Sequence, residues 1–270
     1  VSAPSAQWAP GTYVVGGAFP RSRKQFPVTS KSVPFPKWEH ALYGGENVTN
    51  TAIAIDGPVG VGKSTTARLV AQKLNMAHID TGAMYRAVAL FQIENGLDMH
   101  DAASLENSLE QIQISIKNDG GKQKIFLNGA DVTEKIRTSE VSEGASVVAV
   151  NQGVREKLVA AQREMAAAEG VVMDGRDIGS HVLPDAGIKI YLDAPLEIRA
   201  RRRLRDLESA GRPAEFDQVL NETIIRDHRD KNRKHSPLIQ TPDALCIDTS
   251  RFNSPDETAD EIVKIFKASR

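Results

Sequence analysis

Cysteine is nearly missing from this chain: Cys246 stands alone among 270 residues. A lone thiol closes no internal disulfide and cannot build a cysteine-based zinc scaffold, so the fold must be held by its core. Aromatic residues are scarce as well, at 5%. Net charge is close to nil, with 34 Lys and Arg against 35 Asp and Glu, which argues against a globally basic nucleic-acid binder. No apolar run approaches the ~18–20 residues that span a bilayer. What remains, 40% hydrophobic and 26% charged residues, is the composition of an ordinary globular protein, expected off the membrane and in a reducing compartment. The length allows one large α/β domain or two small ones.

Acidic residues are absent from residues 1–38, which carry Arg21, Arg23, Lys24, Lys31 and Lys37. The first 45 residues hold six of the thirteen prolines and seven of the fourteen aromatics, including Trp8 and Trp38. Proline at that density breaks helices and removes sheet donors, so residues 1–50 are expected to form an irregular or disordered leader. Its acid-free composition leaves a plastid or mitochondrion open beside the cytoplasm, although no amphipathic helical period accompanies it. No internal repeat is present.

The character changes at Thr51. Ala52-Ile53-Ala54-Ile55-Asp56 reads as a buried strand. Gly57-Pro58-Val59-Gly60-Val61-Gly62-Lys63-Ser64-Thr65 follows at once, and a helical apolar period runs on through Leu69, Val70 and Leu74. Strand, glycine loop and helix together are the context of a GxxxxGK[ST] phosphate loop. The glycines permit backbone angles that side chains would block, and the amides of Gly60 to Thr65 can wrap a polyphosphate at the positive end of the helix. Lys63 suits the β and γ phosphates, and the Ser64 hydroxyl suits Mg²⁺. Nucleoside triphosphate binding is the consequence.

Other segments carry chemistry less distinctly. His78-Ile79-Asp80 reads as a second strand, and Thr81-Gly82-Ala83-Met84-Tyr85-Arg86 opens a second helix. Thr81 near the N-cap and Arg86 five residues on suit an anion, yet each alone is equally a helix cap and a solvated charge. Val171-Val172-Met173 reads as a strand ending in the polar turn Asp174-Gly175-Arg176-Asp177, where ligands of doubly wound sheets collect. Arg226, Arg229, Asp230 and Arg233 share one face of a helical run, which is either functional or a salt-bridged solvent face. Arg199, Arg201, Arg202, Arg203 and Arg205 form the densest basic cluster, but Asp206 and Glu208 follow at once. The base-reading Asn-Lys-x-Asp run of GTPases is missing.

In this order and at these intervals, IAIDGPVGVGKSTTA, IDTGAMYRA, VMDGRDIG and RDHRDKNR resemble the bacterial-type cytidylate kinases, a family of P-loop nucleoside monophosphate kinases. The resemblance covers about Thr51 to Arg270. It implies a three-layer, doubly wound α/β fold with a parallel sheet, and transfer of the ATP γ-phosphoryl group to CMP or dCMP with Mg²⁺. Acceptor binding would fall to Thr81, Tyr85, Arg86, Arg155, Arg176, Asp177, Arg226, Asp230 and Arg233, while Asp174 would assist the metal through water. The family also implies an acceptor-binding region at about 81–150 and an arginine-bearing lid at about 200–217, tipped by Gly211-Arg212-Pro213. Lys63, Arg199, Arg203 and Arg229 are the residues expected to act on the transferring phosphoryl group. Ile112, Ile114 and Ile116 alternate with polar residues, and with the turn Asn118-Asp119-Gly120-Gly121 and the return Lys124–Leu127 they match the family's small antiparallel sheet. A monomer with no nucleic-acid or membrane partner is expected. Two rival readings stay open at this point: another acceptor such as UMP, AMP or shikimate, or a non-catalytic module that binds nucleic acid through the arginine cluster.

Overall fold

Short buried strands alternate with helices along most of the chain, and the order in which they pair positions everything that follows. The computed structural model describes residues 12–15, 51–119, 122–168 and 170–269. In chain order the strands are β1 Thr12–Val15, β2 Ile53–Asp56, β3 Ala77–Asp80, β4 Ile114–Asp119, β5 Lys122–Leu127, β6 Ala130–Asp131, β7 Val171–Gly175, β8 Ile188–Asp193 and β9 Leu245–Asp248. The helices are α1 Lys63–Leu74, α2 Thr81–Glu94, α3 Ala102–Leu109, α4 Ser139–Val148, α5 Gln152–Ala168, α6 Leu196–Ser209, α7 Phe216–Asn232 and α8 Pro255–Ala268.

The main sheet runs β3-β7-β2-β8-β9, with every pairing parallel. The chain leaves the central strand β2 for the β3 edge, returns through β7, and only then builds outward on the other side. The loop after β2 therefore lies where the strand order reverses, the point at which open α/β sheets leave a crevice. Burial on both faces explains the continuous apolar runs read from the sequence. Ile53, Ile55 and Val172 pack with Val70 of α1 and Ile262 of α8, whereas Ala54, Ile79 and Met173 pack with Met84 of α2 and Leu158 of α5. That division makes three layers, as expected.

The second sheet is antiparallel and runs β1-β4-β5-β6. Ile114, Ile116, Ile125 and Leu127 bury their side chains beneath it, in the same core as α2. The hairpin read from alternation is present, but β4 starts at Ile114; Ile112 is buried just ahead of it. The Asp80 amide donates to Gln123 Oε1 at 3.1 Å, which ties the hairpin to the end of β3.

Irregular chain was expected throughout residues 1–50, and that fails at β1. Thr12 to Val15 pair with Lys117 to Ile114 along the outer edge of β4. The reason is local: Thr-Tyr-Val-Val is a run of β-branched and aromatic residues with no proline between Pro10 and Pro20, and an open strand edge offers it backbone partners. The rest of the leader lies outside the described residues. Deleting residues 1–50 is expected to speed hydrogen exchange at the outward-facing amides of Ile114–Lys117 by at least tenfold, read by mass spectrometry of the β4 peptide. Unchanged protection there would remove β1 from the fold.

Candidate functional site

The turn from β2 into α1 has the geometry that its residue types demand. Gly62 precedes the helix with φ 88° and no side-chain cap, so the first amides of α1 are left facing the cavity. At Gly60, φ is 80° and a Cβ would lie 2.8 Å from the Arg199 carbonyl oxygen, so the loop can approach α6 only without a side chain. Lys63 Nζ donates to the Pro58 carbonyl at 2.6 Å across the loop. Burial, helped by the neighbouring Arg176, pushes the Lys63 ammonium well below its ordinary pKa against the pull of Asp174 and Asp230. A charge held in that state gains most from an incoming anion.

Behind the loop, Ser64 Oγ donates to Asp174 Oδ2 at 2.7 Å, and His78 Nε2 donates to Asp174 Oδ1 at 2.8 Å. Asp56 takes no part in this group. Its carboxylate accepts from the amides of Ile178 (2.8 Å) and Gly179 (2.7 Å), and burial raises its pKa to about 6 despite those bonds. It thereby anchors the π-helical turn Ile178–Val182 that follows Asp177.

Facing the loop is a cavity of about 270 Å³ whose walls come from α1, α2, α4, α6, α7 and the ends of β3 and β7. Lys63, Ser64, Thr65, Thr81, Tyr85, Arg86, Asp174, Arg176, Asp177, Arg203, Arg226, Asp230 and Arg233 all line it. Motifs scattered through the sequence thus meet in one place. Arg176 Nε donates to Asp230 Oδ2 at 2.7 Å. Burial works against the Asp230 carboxylate, but Arg176 and Arg226 outweigh it and hold its pKa low. Arg226 is pushed down to about 10 by burial and by Arg176. At the far end Asp177 is gripped by two buried guanidinium groups, Arg155 and, at 3.0 Å, Arg233. Tyr85 lies beneath Arg155, 5.9 Å from ring centre to guanidinium carbon, and burial raises its phenol to about 12.

Several sequence expectations are redistributed here. Asp80, rather than Thr81, caps α2: its carboxylate accepts from the Ala83 amide at 3.1 Å and from Arg86 at 2.8 Å. Thr81 is already inside the helix, and its hydroxyl donates to the Asp174 carbonyl at 2.8 Å. Arg199 is not brought into the cavity. It is buried beside the phosphate loop, donating to the carbonyls of Ala194 and Val59 at 3.0 Å and pairing with Asp227 at 2.6 Å. Arg229 is also outside, paired with Glu143 of α4 at 2.6 Å. Of the arginine cluster, only Arg203 reaches the cavity. Arg202 is bonded to Thr249, and Arg201 lies over Phe216, 4.7 Å from its ring centre.

Ser146 on α4 lines the cavity and no motif announced it. Its hydroxyl is buried and has no hydrogen-bond partner among the described residues, and the same holds for Arg86 Nε and Arg226 Nε on this cavity and for Arg155 Nη1 outside its lining. Buried polar atoms are normally satisfied, so the three of them that line this cavity, on Arg86, Ser146 and Arg226, mark where a polar ligand would bind. A second cleft opens on the other side of the phosphate loop, between Thr65, Arg202, Arg205, Ser250 and Asn253.

Comparison with known proteins agrees with this arrangement. The cytidylate kinase family profile matches residues 53–268. The chain belongs to the cytidylate kinase family. Named cytidylate kinases from Caldicellulosiruptor bescii and Bacillus pumilus are 47% and 46% identical to it, over 79% and 78% of this chain and 94% of each relative. The relative from Desulforamulus reducens is 48% identical over 78% of this chain and 92% of its own length. Among solved structures, a shikimate kinase from Acinetobacter baumannii in complex with shikimate aligns over 81% of this chain and 94% of its own, at 17% identity and a TM-score of 0.37. So loose a likeness has no bearing on the acceptor. Membership of the cytidylate kinases makes the chain a phosphotransferase, and among the described residues no helix is long and apolar enough to cross a membrane.

Proposed function

We propose that this chain transfers the γ-phosphoryl group of ATP to CMP and dCMP, giving CDP and dCDP. The observation that supports this reading best is the set of three unpartnered buried donors, on Arg86, Ser146 and Arg226, around a cavity that opens directly onto Lys63. In this reading Arg86 and Arg226 receive the acceptor phosphate. Asp230 suits a sugar hydroxyl, because its carboxylate would repel a phosphate. Arg155, Arg233, Asp177 and Ser146 receive the base. An acceptor carboxylate set among donors matches the edge of cytosine, whose amino group lies beside a ring nitrogen and a carbonyl. Uracil would turn a carbonyl towards Asp177. Tyr85 and Thr81 shape the wall between base and phosphate, and the donor nucleotide's base takes the second cleft beside Arg202 and Asn253.

Lys63 and the loop amides bind the donor phosphates, and Arg203 approaches from α6 to stabilise charge on the equatorial oxygens. The acceptor phosphate is itself the nucleophile, so no protein base is required; catalysis comes from positioning and from exclusion of water. Ser64 Oγ and Asp174 are hard oxygen donors of the kind that Mg²⁺ takes together with nucleotide phosphates, and Mg²⁺ bound there would neutralise phosphate charge. Arg199 acts in this scheme by bracing the phosphate loop, because its bond to the Val59 carbonyl and its ion pair with Asp227, which accepts from the Val59 amide, hold Val59 against α6 and α7. Arg229 fastens α7 to the acceptor region through Glu143. The kinase domain begins near residue 51, with its acceptor region at about 81–150 and its lid at about 200–217, where α6, α7 and their connecting turn share a small core of their own. The protein would work as a monomer on small nucleotides, without nucleic acid.

The decisive assay is ADP release from Mg-ATP with CMP, dCMP, UMP, AMP and GMP offered separately. Fast release with CMP and dCMP, at least tenfold slower release with UMP and negligible release with purines are expected. Acceptor-independent release would point to an ATPase and overturn the proposal.

A further inference from the structure

His78 belongs to none of the motifs that define the site, yet it touches the group on which the cation depends. It lies on β3 two residues before Asp80, so both side chains leave the strand on the same face, while Ile79 between them enters the core. The parallel register sets Asp80 beside Asp174 of β7. From there the imidazole reaches back to the Asp174 carboxylate, Nε2 to Oδ1 at 2.8 Å, with the two side chains only 10% and 3% exposed. Asp174 is thereby held at three points by three elements: Ser64 of α1 at Oδ2, His78 of β3 at Oδ1, and Thr81 of α2 at its carbonyl oxygen.

We infer that His78 is a positioning residue for the divalent cation, holding the Asp174 carboxylate so that the Ser64 hydroxyl stays turned towards the phosphates. This rests on the kinase reading of the site. The argument runs through one rotation. When Ser64 donates its proton to Asp174 Oδ2, the hydroxyl lone pairs are free for a hard cation. That geometry lasts only while the carboxylate plane is fixed. Without a donor at Oδ1, a nearly fully buried carboxylate oxygen would lose its partner, and the group would turn about its Cβ–Cγ bond to recover one. That turn would carry Oδ2 out of line with the Ser64 proton, and the hydroxyl would no longer be held with its lone pairs towards the cation. The imidazole reaches across from the adjacent strand and supplies a rigid donor, the kind of outer partner that keeps a ligating group aligned.

A purely structural histidine, satisfying a polar core and nothing more, would affect stability but not the cation. The two roles separate in a binding experiment with Mn²⁺ as the probe. Free Mn²⁺ is counted by electron paramagnetic resonance during titration of the protein–ADP complex, and ADP binding is measured in parallel by calorimetry with chelator present. In His78→Leu, Mn²⁺ affinity of the ADP complex is expected to fall about tenfold, with metal-free ADP binding within twofold of the parent. His78→Gln, which keeps a donor amide, restores most of the loss. If the leucine variant does not fold, His78→Phe fills the ring volume without a donor and takes its place. Equal Mn²⁺ affinity in the parent and the donor-less variant overturns the inference, even if the variant melts earlier. A parent protein that binds neither ADP nor Mn²⁺ with ADP would bring down the kinase reading itself, and the inference with it.

Discussion

Lys63→Ala is expected to lower kcat by about 10²–10³-fold, the usual loss when one preorganised donor to a developing charge is removed. Its thermal unfolding midpoint is expected to stay level or rise. The two halves of that result come from the same geometry. Lys63 is buried at the start of α1, and the only hydrogen bond of its ammonium among the described residues is to the Pro58 carbonyl. Burial and the adjacent Arg176 oppose its charge strongly enough to push its pKa well down. Without nucleotide the ammonium is therefore a strained group, held for the anion it will meet, and alanine at that position relieves the strain while keeping good helix propensity. The parent, but not the variant, should gain stability steeply on adding ATP. Near-normal turnover would defeat the phosphate-loop assignment. A sharp drop in midpoint would show that the lysine supports the fold instead.

The parts of this site that are legible in the sequence are those whose chemistry is local. The phosphate loop is a single stretch in which strand, glycines, lysine and helix follow one another, and the alternation of Ile114 and Ile116 with polar residues is enough to give a hairpin. Helical spacing correctly places Arg226, Asp230 and Arg233 on one face. Spacing fails where the partner of a face decides its role. Arg199 and Arg203 are one turn apart and look equivalent. The first lies at the root of α6, where Asp227 and two loop carbonyls claim it, and the second lies one turn farther out, over the cavity. The same arithmetic puts Arg229 beside Arg226, but Glu143 draws it outward. Ser146 could not be found from spacing, since a serine in an apolar helix has no signature until its hydroxyl is seen buried without a partner. The strand at Thr12–Val15 was visible as a β-rich run, but the prolines around it dominated the composition of the segment.

Asp177→Ala is expected to be the most damaging single substitution for both fold and acceptor binding. The carboxylate sits between Arg155 and Arg233, all three buried. Removing it leaves two guanidinium groups close together in a buried space without the carboxylate that bonds them both, and only Arg233 keeps a more distant one in Asp230. Breaking such a buried cluster at one member costs about 3–5 kcal/mol. Arg233 keeps a bond to the Ser236 carbonyl at 2.6 Å, so the segment after α7 should stay docked while the two arginines separate. Asp177→Asn keeps the volume and one acceptor oxygen, and should recover a large part of the stability. It should not recover discrimination, because an amide nitrogen can be presented to the base where only an oxygen stood before. The asparagine variant is therefore expected to raise KM for CMP at least tenfold while changing KM for UMP much less, so that the ratio of their kcat/KM values falls. Urea unfolding of both variants and steady-state kinetics with the two acceptors check each half. An asparagine variant that retained full preference for CMP would place the base elsewhere and reduce the Arg155–Asp177–Arg233 cluster to a structural clamp between α5, α7 and the end of β7.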